Sequence, residues 1–239
     1  MSADGCELNP LDFFSGGVPT GSMFQLTLND IARINETSAR KSGIDRLREL
    51  CFVGALSYFE AFCKDHAASI VSIAPGLIDR LRAGGHDTSI DALKAIELGS
   101  YLPAKVGFLV METVDFGGAR KINGVYQTLL KVSPFSKDDA RKYEAMLRDR
   151  NLIVHHGSVF TTRYLEQTKS GERSNVEDAF MNSLIIDSDR VVEEIGFLSR
   201  VASKLVLSTY SALSSHLRES QCSLDQARES ALEFMRYLD

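Results

Sequence analysis

Apolar residues recur along most of the chain at the spacing of helices buried on one face. The clearest run extends from Gly43 to about Val71, where Ile44, Leu47, Cys51, Ala55, Tyr58 and Phe62 keep the helical step. Phe52, Leu56, Phe59 and Cys63 add a second strip. An apolar arc this wide predicts a central helix covered on more than one side. A shorter helix is expected before it, over 29–41, with Asn29 as its cap. After it, Pro75 opens a helix that stops at Gly84-Gly85, and Thr88 or Ser89 caps the next, which Leu98-Gly99 ends. Helices over 104–114 and 119–132 follow, separated by Gly117-Gly118, and Ser133-Pro134 forces a break.

Ser136 resembles the start of a capping box, with Asp139 three residues on, and Asp138 and Asp139 favour the positive end of a helix dipole. Gly157 closes that helix as a C-terminal glycine. The stretch 158–188 is less regular, and Leu184-Ile185-Ile186 is a candidate short strand with little to pair against. Asp187 or Ser188 caps a long helix to about Leu217, striped by Val192, Ile195, Leu198, Ala202, Leu205 and Leu213. Ser223, with Gln226 three on, opens a last helix to Leu238. The pattern predicts an all-α fold of about seven helices, a bundle with N- and C-terminal additions. Residues 1–22, with the run SGGVPTGS, are expected to be a flexible tail, and 23–239 a single helical domain with its core over about 43–217.

Composition narrows the class. A chain of 239 residues, 44% apolar and 25% charged, can bury a core without disulfides or metals. Cys6, Cys51, Cys63 and Cys222 are scattered, which fits a reducing, cytoplasmic setting. The N-terminus lacks the pattern of a signal peptide, and no run reaches the length of a membrane span, so no membrane partner is expected. A net charge of −5 argues against a protein that coats nucleic acid, but leaves room for a local grip on a few phosphates by Arg148, Arg150 and Arg163.

The candidate chemistry lies in Arg150-Asn151-Leu152-Ile153-Val154-His155-His156-Gly157. Arginine holds phosphate and histidine moves protons near neutral pH. On a helix turning about 100° per residue, Tyr143, Met146, Leu147, Ile153 and Val154 share a face with Arg150 at its centre. Asn151 and His155 sit one turn apart on a flank with Arg148, and His156 lies on the other flank near Asp149. Arg150 and His155 stand about 140° apart, so one helix does not bring them together. A two-fold interface between copies of the chain would. Read without that step, the histidines near the helix end serve the dipole or packing, and Arg150 is a salt-bridge residue.

The string RNLIVHHG resembles the R-x(4–6)-H motif of the HEPN superfamily, in which a polar residue commonly follows the arginine; here Asn151 stands there and His155 gives a four-residue spacing. Tyr164-Leu165, the polar stretch after it, the Leu184–Asp187 segment and the long helix beyond resemble the layout of RiboL-PSP type HEPN domains, and Tyr58, Phe59 and Glu60 suit their first core helix. The resemblance implies a homodimer with facing motif helices and a metal-independent endoribonuclease, a toxin or anti-phage defence effector with RNA as substrate. An antitoxin or defence-system protein is the further partner it implies. His155 would be the general acid or base, Arg150 would hold the scissile phosphate, and Asn151 would orient them. His156 is the alternative catalytic histidine at a five-residue spacing, and Arg148, Arg163 and Tyr164 are candidate RNA contacts. The other reading is a catalytically silent HEPN dimer that binds RNA, a nucleotide or a protein.

Gly157 stands where some HEPN toxins carry the tyrosine modified by a nucleotidyltransferase antitoxin, so that regulation is not implied. No H-E-x-x-H or Cys/His cluster occurs, and no metal or cofactor is expected. His66, His86 and His216 lack ligand spacing and read as surface or packing residues. Five basic and four acidic residues between Lys137 and Arg150 read as a solvated helix face, and the last helix as core packing.

Overall fold

The computed structural model describes residues 7–38, 43–168 and 179–238. The fold is all-α, with no strand among the described residues. The helices are α1 (Thr20–Glu36), α2 (Arg46–Ile73), α3 (Ile78–Ala83), α4 (Ala92–Leu98) and α5 (Leu102–Met111). They continue with α6 (Ala119–Leu130), α7 (Lys137–His156), α8 (Thr162–Thr168), α9 (Ser188–Glu219) and α10 (Gln226–Phe234). No helix among the described residues is long and apolar enough to cross a membrane.

The chain divides into two compact units, each gathered from separate stretches. The first takes Met1–Leu26, Phe59–Phe135 and Arg200–Asp239, the second Thr27–Tyr58 and Ser136–Ser199. Three of the divisions fall within α1, α2 and α9, so no linker composition marks them in the sequence.

The first unit corrects the expectation of a flexible tail for residues 7–22. Pro10–Phe13 forms a 3-10 turn capped by Asn9 and Asp12, and Phe13 and Phe14 are fully buried. Burying two adjacent phenylalanines outweighs the glycine-rich composition beside them. Residues 1–6 lie outside the described residues. α1 begins at Thr20, nine residues before the predicted cap, and Asn29 is an interior helix residue. Deeper in this unit, Phe24 stacks on Phe62 at 4.8 Å between ring centroids and meets Phe59 edge-on at 5.7 Å. The fully buried Tyr126 donates its hydroxyl hydrogen to the Cys63 carbonyl at 2.6 Å. Gly107 of α5 lies so close to α2 that a Cβ there would stand 1.9 Å from the Ala68 carbonyl oxygen. α4 is capped by Asp91, whose carboxylate accepts from the amides of Leu93 and Lys94, in place of Thr88 or Ser89. Asp225 likewise caps α10 in place of Ser223.

The second unit carries the motif helix. Ser136 and Asp139 form the capping box read from the sequence, and Gly157 ends α7 in the left-handed conformation at φ 58°. Leu184–Ile186 is not a strand: a single antiparallel bridge joins Val159 to Ser183, flanked by backbone bonds such as Phe160 N–H to the Asn182 carbonyl. One bridge satisfies these backbone groups without building a sheet. α8 was not legible in the irregular stretch, and residues 169–178 of that stretch lie outside the described residues.

Candidate functional site

α7 buries Tyr143, Met146, Leu147 and Leu152, and with them the carboxylate-bearing Asp149 at 5% exposure. Its C-terminal end is held from α2. Ser158, fully buried just after the glycine cap, donates its hydroxyl hydrogen to Glu49, and Arg46 donates to the Gly157 carbonyl at 3.4 Å. The last turn, which carries both histidines, is thereby fixed to the rest of its own unit.

Beside that turn lies a cavity of about 660 Å³. Arg148, Asn151, His155 and His156 of α7 line it together with Arg163 and Tyr164 of α8. Arg148, Asn151 and His155 share an arc of about 60° on the helix, as their spacing requires. The helical step sets His156 on the opposite flank. That histidine lines the same cavity, because α8 extends the cavity around the end of α7.

Arg150 is half-buried and is not among the residues that line this cavity. That is the consequence of its angular position, about 140° from His155 on a straight helix. Of the seven residues proposed from the sequence, six border one space and the arginine of the motif stands apart.

His155, His156 and Asn151 are exposed, and Arg148 is half-buried with no ion pair among the described residues. It lines the cavity together with Glu144, and a guanidinium without an ion pair suits an anion entering there. Tyr164 stacks on Phe160 at 5.5 Å with the rings nearly parallel, and its hydroxyl donates to Asp149 Oδ1 at 2.5 Å. Burial first, and then the hydrogen bond and charge of Asp149, push the Tyr164 phenol above its ordinary range, so it stays protonated. Asp149 also pairs with Arg190, which lies over the Phe52 ring at 5.6 Å. Asp149 therefore positions Tyr164 at the cavity wall, a role no spacing in the sequence announced.

Near Asp149 and Arg190 is Glu194, 2% exposed, with neither carboxylate oxygen hydrogen-bonded. Burial pushes its carboxyl well above the usual carboxylate range, opposed by the Arg190 charge. Among the described residues, no three His, Cys, Asp or Glu side chains cluster as metal ligands would. The groups at the cavity are instead suited to acid–base work by imidazole and to anion binding by guanidinium. Compared with known proteins, the chain matches no family model, no curated protein and no solved structure.

Proposed function

We propose that the protein is a HEPN-type endoribonuclease that acts without a metal, as a toxin or defence effector. The observation that carries this reading is the cavity in which His155, His156, Asn151 and two arginines, Arg148 and Arg163, border one space. RNA cleavage by 2′-hydroxyl attack needs a base for that hydroxyl, an acid for the leaving oxygen and a cation for the phosphate. His155 supplies the proton transfer, with His156 as its alternative, and Asn151, one turn away, orients it. The attacking 2′-oxygen bonds to phosphorus as the 5′-oxygen leaves with a proton, giving a 2′,3′-cyclic phosphate. Arg148 and Arg163 grip neighbouring phosphates, and Tyr164 lies against the strand.

Arg150 joins the reaction from a second copy of the chain, which accounts for its place away from the cavity of its own protomer. The same placement favours the second reading, a silent HEPN dimer that binds RNA, a nucleotide or a protein without cutting it.

The test uses wild type, Arg150→Ala, His155→Ala and His156→Ala, each shown to be folded, with RNA in the presence of EDTA. Cleavage that persists in EDTA and falls by about 100-fold or more in Arg150→Ala and His155→Ala supports the enzyme. If His156→Ala is the inactive histidine variant, the roles exchange. RNA left intact by folded, dimeric wild type removes the enzyme reading.

A further inference from the structure

Within the first unit, a second cavity of about 700 Å³ lies among the end of α2, α3, the end of α9 and the start of α10. Its volume is in the range of small-molecule sites, about 300–1,000 Å³. Ile73, Ala74, Leu77 and Leu224 give it an aliphatic wall with no aromatic ring. Three basic side chains border it, and their partners differ. Arg228 is already neutralised: it pairs with Asp225, which also borders the cavity, and its guanidinium lies over Phe13 at 5.5 Å.

Arg80 is half-buried and has no carboxylate partner among the described residues. It donates to the Leu129 carbonyl at 2.8 Å and to His216 Nδ1 at 3.0 Å. A guanidinium only donates, so His216 Nδ1 accepts and the neutral ring carries its proton on Nε2. Burial first, and then the Arg80 charge, lower the His216 pKa against a smaller opposing effect of Glu219, which favours the neutral ring. The cavity therefore joins an aliphatic wall to a cation without a counter-ion and a neutral imidazole.

We propose that this cavity binds an aliphatic carboxylate, its alkyl chain against Ile73, Ala74, Leu77 and Leu224 and its carboxylate on the Arg80 guanidinium. A carboxylate accepts two hydrogen bonds from a guanidinium and supplies the charge Arg80 lacks. The site is independent of the ribonuclease reading, since no residue of the motif takes part.

The probe is octanoate, titrated calorimetrically into the full chain, with octanamide as its neutral counterpart. Saturable binding of octanoate, tighter than octanamide by about tenfold or more, is the expected result. Arg80→Gln weakens octanoate by about tenfold and leaves octanamide unchanged, whereas Arg80→Lys, which keeps the charge, falls between. Leu224→Trp, which fills the half-buried wall of the cavity, weakens both ligands. No saturable binding to folded wild type, equal affinity for the two ligands, or full octanoate affinity in Arg80→Gln overturns the proposal. Should Arg80→Gln fail to fold, the wild-type ratio and Leu224→Trp decide it.

Discussion

Lowering the pH should loosen the first unit through His66. This imidazole is fully buried. Its Nδ1 lies 2.8 Å from the Thr20 hydroxyl on α1 and its Nε2 lies 2.8 Å from the Thr209 hydroxyl on α9. Thr209 donates its one hydrogen back to the Leu205 carbonyl at 2.7 Å, so its oxygen accepts from Nε2–H. Nδ1 must then accept from Thr20, and a second ring proton would break that bond inside a closed, apolar site. Burial lowers the pKa from 6.5 to about 3. The unfolded chain takes up the proton first, so the stabilisation is whole above the ordinary value and drains away as pH falls toward the folded one. Each pH unit in that interval costs about 1.4 kcal/mol, and going from about pH 7 to about pH 5 costs about 2 kcal/mol. For a chain of this size that is a fall of about 4–8 °C in Tm. Chemical denaturation of wild type and His66→Gln across that interval isolates the effect, because the amide keeps a donor and an acceptor but does not titrate. The wild-type curve should fall by about 2 kcal/mol more than the variant's. Parallel curves would falsify the assignment of a neutral, doubly bonded His66.

Two further outcomes follow from buried groups. Gly107→Ala places a methyl 1.9 Å from the Ala68 carbonyl oxygen and 2.8 Å from Ser72 Oγ, which the Gly107 amide uses as its acceptor. Forcing α2 and α5 apart should cost about 3 kcal/mol despite alanine's better helix propensity, and an unchanged Tm would refute the close approach. Glu194→Gln should gain stability over wild type as pH rises, because the raised carboxyl resists ionisation in the folded state while the unfolded chain ionises freely. Denaturation near pH 5 and near pH 8 tests this, and a variant that loses ground at the higher pH would show that Glu194 is a satisfied anion.

Where a helix bears its own signals, the sequence was enough. Ser136, Asp139 and Gly157 bound α7 in the chain as they do in the fold, because capping is local chemistry between residues a few positions apart. The angular separation of Arg150 from His155 was equally legible, since it depends only on helical pitch. Competing caps were not: Asp91 and Asp225 displaced Ser89 and Ser223, each a short distance on, and spacing alone does not rank a carboxylate against a hydroxyl. Composition misleads over the N-terminal segment because it counts glycines and serines but not the space that receives Phe13 and Phe14.

The sequence by itself determined the helical class, the bounds of the motif helix and the arc on which Asn151, His155 and Arg148 stand. Only the tertiary structure decided that α8 closes a cavity over that arc, that Asp149 holds Tyr164 at its wall, and that Arg80 faces a cavity without a counter-ion. The division has a physical cause. Caps and pitch are set by neighbours along the chain, whereas burial, pairing and the shift of a pKa are set by whichever distant side chains the packing brings within a few ångströms.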